Sequence, residues 1–288
     1  MDSTPLRLML VHAHPDDEVI NNGITMAHYV DRGHQVTLIT CTRGEEGEVL
    51  IEDLAHLASN QEDRLGHHRE GELAAAMEII GVSDFRFLGG QIRQYRDSGM
   101  IGTEPNERKD SFWQADLEIA ADDLAEEMLR VRPHVLITYD EFGGYGHPDH
   151  IKAHQIAMRA AEKIRPDWEI QKIYWNTIPV SIIEAGIEAM KGSDTQFFGV
   201  DKAEDFPFAK PDSMVTTVIN DETKLDRKMA AMRAHATQIS VDGPFFALSN
   251  NLGVQVWGQE FYTLVYGNKA GALDEFGRET DIFAGIKP

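Results

Sequence analysis

Short apolar runs alternate with amphipathic segments along the first part of the chain. The run at residues 6–14 ends in polar side chains, which predicts a buried strand whose carboxyl end opens into a loop. Pro15 and three acidic residues follow, and apolar residues then recur roughly at helical spacing until Gly33, which predicts a helix. The run at 35–42 predicts the next strand. These segments form a βαβ unit, whose strands pair in parallel through a right-handed crossover.

The same alternation continues to about residue 176. It predicts an α/β fold with a doubly wound, mostly parallel, Rossmann-like sheet and a smaller C-terminal α+β portion. The predicted helices lie near 66–80, 116–131 and 149–163, and the predicted strands lie near 85–88, 134–139 and 170–176. Beyond the point where the alternation weakens, we expect a strand at 214–219 and a helix that begins at Asp221.

Composition is that of an ordinary globular protein. The chain has 288 residues, 42% of them hydrophobic, which suits one large α/β domain or a domain with a smaller appendage. It contains no apolar run long enough to span a membrane, and its first residues do not resemble a signal peptide, so a cytoplasmic location is expected. Cys41 is the single cysteine, which excludes an internal disulfide, and we expect it to be a buried strand residue.

The charge balance narrows the class of partner. Acidic side chains outnumber basic ones 48 to 27, and the formal net charge is −21. Such a surface repels phosphate backbones and anionic membranes, so neither nucleic acid nor a membrane is an expected partner. A neutral small molecule such as a sugar experiences no long-range electrostatic repulsion from this surface. The sequence leaves the oligomeric state open.

Two segments rich in histidine and aspartate follow predicted strands, HAHPDDE at 12–18 and YDEFGGYGHPDH at 139–150. Ligands of open α/β sheets bind at the carboxyl ends of the strands. His14 and Asp17 are three positions apart across a turn and can face one ion, and a distant His150 would complete a three-ligand site with an open position, as in catalytic zinc sites. Nitrogen and oxygen ligands favour zinc, with Fe²⁺, cobalt and manganese as alternatives.

These two segments resemble the zinc deacetylases of the LmbE-like (PIG-L) family, whose motifs HPDDE and HxDH are both intact here. The resemblance covers at least residues 6–158. It also includes CTRGEEGEV, LGHHREGELAAAMEIIGV, RQYRDSGMIGT and RPHVLITYDEFGGYGHPDH. It implies a metal-dependent hydrolase with one Zn²⁺ per chain, which removes an acyl group from the amide of an amino sugar.

The resemblance also implies catalytic roles. Asp16, the first aspartate of HPDDE, would be the general base that takes a proton from water. Tyr145 and His147 would stabilise the tetrahedral oxyanion, and removal of one well-placed donor from such a site costs about 2.7–4 kcal/mol. Because the histidine of this position lies near the leaving nitrogen in the family, His147 is also a candidate general acid.

Further residues are assigned to binding and support. Asp149 would orient a histidine, as buried carboxylates beside metal sites commonly do. Arg69 and Asp97 match family positions implicated in holding substrate hydroxyls, and Glu48 belongs to a matching loop. His235 and Gln238 also match a family helix, with no role assigned.

The weakening of the strand–helix alternation near Pro179 predicts a division of the chain. We expect a Rossmann-like, metal-binding catalytic domain at 1–178 and a C-terminal portion at 179–288 that covers the site and contributes to substrate binding. The stretches 91–115 and 191–213 lack clear periodicity, and long loops of this kind often cover a site.

Particular residues and motifs discriminate between the candidate functions. Within the family, Asn21, Gly146 and the segment 96–100 resemble the branch that deacetylates N-acetyl-glucosaminyl-inositol in mycothiol biosynthesis, and mycothiol S-conjugate amidases are the alternative. A non-catalytic metal-binding or sugar-binding module is a rival of another class, and Asp16 beside the three ligands argues against it. A dehydrogenase is disfavoured because no GxGxxG motif follows the first strand.

Overall fold

The computed structural model describes residues 4–189, 202–206, 208–240 and 258–288, and within these ranges it contains one seven-stranded sheet and one two-stranded sheet. Helices pack on both faces of the larger sheet. The strands are β1 (Arg7–His12), β2 (Gln35–Thr40), β3 (Asp84–Phe87), β4 (Val135–Thr138), β5 (Lys172–Asn176), β6 (Ile178–Pro179), β7 (Ala209–Lys210), β8 (Thr217–Asn220) and β9 (Gln259–Tyr266). The helices are α1 (Asp17–Asp31), α2 (Leu65–Ile80), α3 (Leu117–Val131), α4 (Gly143–Gly146), α5 (Pro148–Ile164), α6 (Val180–Ala189) and α7 (Leu225–Ala234).

The large sheet has the order β3-β2-β1-β4-β5-β9-β8. Its first five strands are parallel, whereas β9 runs antiparallel to β5 and β8 runs antiparallel to β9. The prediction of a doubly wound, mostly parallel α/β sheet is therefore confirmed. Strand β4 is buried throughout and β1 almost throughout, because helices cover both faces of the sheet at its centre.

The two faces of the sheet form separate hydrophobic cores. Along β1, Leu8 and Leu10 join the core beneath α1, α2 and α7, while Met9 and Val11 join the core beneath α3 and α5. This division follows from the alternation of successive side chains along a strand. Cys41 is buried, as expected, but it directly follows β2 and is not part of the strand. None of the helices in the described ranges is both long and apolar enough to cross a lipid bilayer.

The C-terminal elements differ in detail from the prediction. The expected strand at 214–219 begins at Thr217, after a short 3₁₀ turn. The expected helix from Asp221 begins as a 3₁₀ turn, in which the Asp221 carboxylate accepts from the Thr223 amide, and α7 itself begins at Leu225. Strands β8 and β9 extend the same sheet as β1 to β5, and the division at residues 178 and 179 stays a prediction. Much of the expected loop at 191–213 lies outside the described residues.

Candidate active site

The site lies at the carboxyl ends of the two central strands, β1 and β4, whose following helices pack on opposite faces of the sheet. Strands β1 and β4 are neighbours, but α1 follows β1 onto one face and α5 follows β4 onto the other. Such a switch point leaves a crevice at the carboxyl ends of the two strands, where open α/β sheets bind ligands. His14 follows β1, and the segment from Tyr139 to His150 follows β4. The topology therefore brings the two motifs of the sequence together.

Three buried side chains form a compact triangle of donor atoms in this crevice. His14 Nδ1 lies 3.3 Å from His150 Nε2, and Asp17 Oδ2 lies 3.4 Å from each of these nitrogens. A tetrahedral zinc ion with bonds of about 2.0–2.1 Å to nitrogen and oxygen holds its ligand atoms about 3.3–3.4 Å apart. The triangle therefore fits a divalent cation of the zinc type by both its dimensions and its donor atoms.

The outer edges of both histidine rings are held by hydrogen-bonding partners. His14 Nε2 lies 3.2 Å from Asp149 Oδ2, and His150 Nδ1 lies 3.2 Å from the Gly143 carbonyl oxygen. Partners of this kind fix the tautomer and the orientation of metal-binding histidines. Gly143 has a φ of +63°, and a Cβ atom there would lie 2.7 Å from His150 Cβ, so only glycine allows this approach.

Two other groups of side chains in the same place share His14. One adds His147 and His150, and the other adds Asp97 and Asp149, with ligand atoms within 4.8 Å of one another. Asp97 and Asp149 face Nε2 of His14, 3.6 and 3.2 Å away, whereas Asp17 and His150 face Nδ1. Because the two nitrogens lie on different edges of the ring, the shorter Asp17 triangle is the better cation site.

Asp16 stands beside the triangle in an unusual backbone conformation. Its φ of 115° is rare for a residue with a side chain, and its carboxylate makes no capping bond to α1. Burial raises the pKa of this carboxyl to about 6, against the opposing charge of Arg69 and with a further contribution from Asp17. A carboxylate of that pKa is suited to accept a proton near neutral pH.

His147 and Tyr145 lie beside the triangle and line the same cavity. His147 Nδ1 accepts from the Asp149 amide, 3.1 Å away, at the start of α5, so the neutral ring carries its proton on Nε2. Burial and the neighbouring histidine rings lower the pKa of His147 to about 3, which keeps it neutral. The Tyr145 ring is half-exposed, and its centre lies 5.0 Å from that of His150.

Comparison with known proteins places the chain in a family. Residues 9–161 match the family model described as "PIG-L: GlcNAc-PI de-N-acetylase", which is more than half of the chain. The chain belongs to the PIG-L family. A relative from Geodermatophilus obscurus, named 1D-myo-inositol 2-acetamido-2-deoxy-alpha-D-glucopyranoside deacetylase, is 55% identical over 97% of this PIG-L chain and 98% of its own length. The resemblance inferred from the two motifs is confirmed.

Solved structures share the fold of this PIG-L protein at low sequence identity. N,N'-diacetylchitobiose deacetylase from Pyrococcus horikoshii aligns with a TM-score of 0.57 and 18% identity, over 90% of this chain and 83% of that one. GalB, the 4-carboxy-2-hydroxymuconate hydratase of Pseudomonas putida KT2440, aligns with a TM-score of 0.58 and 19% identity, over 93% and 100%. Because one is a deacetylase and the other a hydratase, these likenesses show the fold alone.

The three residues predicted to bind substrate line the same cavity of about 760 Å³ as the triangle. Glu48 is exposed, while Asp97 is buried and accepts from the amides of Gly99 and Glu46. The Arg69 guanidinium is also buried, and it donates to the carbonyls of Gly44 and Pro15 and to Asp16 Oδ2. In this PIG-L chain Arg69 therefore holds the loop that carries Asp16.

Sequence reasoning missed two supports of the site. The Tyr139 hydroxyl donates to Asp17 Oδ2 over 2.7 Å, and its ring stacks on that of His150 with centres 4.2 Å apart. The Ser98 amide donates to Asp149 Oδ2 over 2.9 Å, and its hydroxyl donates to Asp149 Oδ1. Both lie in segments that carried the family resemblance, and their positions at a strand end and beside Asp97 were the available signals.

Proposed function

We propose that this PIG-L protein hydrolyses the acetamide of 1D-myo-inositol 2-acetamido-2-deoxy-α-D-glucopyranoside, which is N-acetyl-glucosaminyl-inositol, in mycothiol biosynthesis. The products are acetate and the free amine. The observation that carries the proposal is the position of Asp16 beside the triangle of His14, Asp17 and His150. The expected deacetylase activity is confirmed by the names of relatives that match nearly the whole chain at about half identity.

The donor triangle is proposed to hold one Zn²⁺ per chain, through His14 Nδ1, Asp17 Oδ2 and His150 Nε2. Nitrogen and oxygen donors of this kind also bind Fe²⁺, which is the alternative metal. A divalent cation there would polarise the amide carbonyl and make water acidic enough to supply hydroxide near neutral pH. Asp149 and the Gly143 carbonyl keep the two rings in the tautomers that this binding requires.

Asp16 is proposed to carry the proton. Its carboxylate takes one proton from the attacking water, and the new carbon–oxygen bond places a negative charge on the former carbonyl oxygen. When the carbon–nitrogen bond breaks, the leaving nitrogen takes that proton from Asp16, so that acetic acid and a neutral amine result. The acid then loses its remaining proton to solvent and leaves as acetate. A carboxyl whose pKa is raised to about 6 can perform both transfers near neutral pH.

His147 and Tyr145 are proposed to stabilise the negative charge on the oxygen. A neutral His147 ring donates a hydrogen bond through Nε2 but carries no spare proton, so its electrostatic role is favoured over that of general acid. Tyr145 lines the same cavity, with its ring centre 6.1 Å from that of His147, and would supply a hydroxyl donor. Both contacts would strengthen as charge develops on the substrate.

Substrate binding is proposed to involve Arg69, Asp97 and Glu48, all of which line the cavity. Arg69 also holds the loop that carries Asp16. Residues after position 178, among them Ile182, Phe208 and Phe261, also line this cavity. This placement supports the proposed contribution of residues 179–288 to substrate binding. The cytoplasmic location stays a prediction.

The test is release of amine from N-acetyl-glucosaminyl-inositol, compared with cleavage of a bulky mycothiol S-conjugate at the same enzyme concentration. We expect the acetylated sugar to have the higher kcat/KM, and chelation to abolish turnover until Zn²⁺ is restored. Preference for the conjugate would assign the protein to the amidases. No turnover of either compound by fully metal-loaded protein would favour the non-catalytic binding module.

A further inference from the structure

A buried carboxylate–imidazole pair lies directly behind the loop that carries Asp16. Glu18 Oε1 lies 2.8 Å from His235 Nε2, and both side chains are fully buried. Glu18 belongs to the first turn of α1, whereas His235 directly follows α7, 217 positions later in the chain. Neither residue is among those that line the cavity in the described part of the chain.

The second oxygen of Glu18 holds the backbone of Asp16. The Asp16 amide donates to Glu18 Oε2 over 2.9 Å. With its φ of 115°, Asp16 adopts a conformation that costs free energy in a residue with a side chain, so the surrounding contacts must stabilise it. One carboxylate therefore connects the strained backbone of Asp16 to a ring anchored at the end of α7.

We propose that Glu18 and His235 act as a positioning pair for Asp16, an inference that rests on the proposed role of Asp16 as the base. Arg69 holds the Asp16 carboxylate from one side, with Nη2 3.2 Å from Oδ2, and the pair holds its amide from the other. A displacement of about 1 Å in a reacting group can lower the rate about 100-fold. The pair thus gives α7, from the C-terminal portion, a part in the reaction without contact to substrate.

A second histidine–carboxylate pair on α1 provides the matched control. His28 Nδ1 lies 2.7 Å from Asp221 Oδ2, and His28 is buried near the end of α1 that is remote from Asp16. The two pairs share their chemistry and link the same helix to the C-terminal portion. Of the two pairs, only that of Glu18 contacts the Asp16 backbone. If both pairs merely stabilised the fold, substitutions in either pair would change stability and kcat in the same way.

The experiment compares His235→Phe, His235→Gln and His28→Phe in the full-length, metal-loaded protein. We expect His235→Phe to keep its metal and its KM but to lose about 100-fold in kcat. Glutamine can place a donor where His235 Nε2 stands, so His235→Gln should recover most of kcat. His28→Phe should lower the melting temperature and leave kcat unchanged. Amide exchange of a peptide covering residues 13–20 should accelerate in His235→Phe alone, with or without metal.

His235→Asn is the second disrupting variant if His235→Phe does not fold, because its shorter amide does not reach Glu18. If a folded His235→Phe or His235→Asn variant had the kcat of the wild type and the same amide exchange in residues 13–20, the positioning role would be overturned. Equal loss of kcat in His28→Phe would also overturn it. Asp16→Asn separates the two proposals: if that variant stays fully active, the base assignment fails, whereas an inactive Asp16→Asn beside an active His235→Phe rejects only the positioning pair.

Discussion

Buried carboxylates are accommodated in two ways in this molecule. On the antiparallel side of the sheet, Glu279 Oε1 lies 2.6 Å from Lys172 Nζ, and Glu260 Oε1 lies 2.7 Å from Lys228 Nζ. All four side chains are nearly or fully buried. Each negative charge has its countercharge within the protein, so these pairs are complete without any ligand.

At the switch point between β1 and β4 the balance differs. Asp17, Asp97 and Asp149 are buried together, and in the described part of the chain their ion-pair partners are histidine rings. Burial opposes a charge on the His14 ring, yet the surrounding carboxylates, Asp97 foremost, raise its pKa well above the ordinary value. Buried charge without a permanent countercharge is costly unless a cation joins it. Pairing with lysine thus indicates a structural role for a buried carboxylate, whereas three carboxylates gathered around shared histidine rings indicate a site for a cation.

The strongest test of this contrast removes a donor from the triangle. We expect His150→Ala to lose its bound zinc and to lower deacetylation to the level of chelated wild-type protein, because two donors hold the cation too weakly. His154→Ala, on the same helix α5, should keep a full complement of metal. Metal analysis of the two purified variants, with amine release, checks this. Full metal content in His150→Ala would show that His150 is not a metal ligand.

Substitution of the base should separate chemistry from metal binding. Asp16→Asn keeps the shape of the side chain but cannot accept the proton from water, so kcat should fall about 10²–10⁴-fold. The metal content should stay at one ion per chain, because Asp16 lies outside the triangle. Titration with Zn²⁺ and steady-state kinetics on the same preparation measure both quantities. Loss of metal here would show that Asp16 is a ligand instead.

Breaking a complete pair should affect folding alone. Lys172→Met leaves the Glu279 carboxylate buried without its cation, and such a loss typically costs about 3–5 kcal/mol in the free energy of unfolding. Urea denaturation measures this change, and kcat/KM of the folded variant should equal that of the wild type. A large loss of metal or activity in Lys172→Met would break the contrast between the two kinds of cluster.

The smallest effect is expected from a support of the site. Ser98→Ala removes the hydroxyl donor to Asp149 Oδ1 but keeps the amide donor to Oδ2, and loss of such a support costs about 10–100-fold in metal affinity or activity. Ser111→Ala, a buried serine in the same loop, is the control and should change neither. Competition with a chelator compares the two affinities. Equal affinities would show that Asp149 needs no help from Ser98.

Most of the parallel part of the sheet could be predicted from the sequence, because the patterns that indicate its strands and helices are local. Buried runs such as 6–14 and 134–139, and the helices between them, are visible in a short window of residues. The antiparallel placement of β9 between β5 and β8 depends on pairing between distant segments, which no local pattern records. The predicted start of a helix at Asp221 was early because a 3₁₀ turn precedes α7.

The candidate site also has a part that could be predicted from the sequence and a part that could not. The proximity of His14, Asp17 and His150 could be predicted because both motifs follow strands that meet at one edge of the sheet. Arg69 was expected to hold substrate hydroxyls, but its guanidinium is turned towards backbone carbonyls and Asp16. That orientation depends on Gly44, where a Cβ atom would lie 1.9 Å from Arg69 Nη1, and such a close approach is invisible before the chain is folded.

The contact between Glu18 and His235 has a consequence for recombination within the family. The matched segment, residues 9–161, contains both motifs, whereas His235 lies well beyond its end. A hybrid gene joined anywhere between these points takes its HPDDE loop from one parent and the residue that meets Glu18 from the other. Such hybrids should therefore be functional only where the parents carry compatible residues at positions 18 and 235, however well their motifs agree.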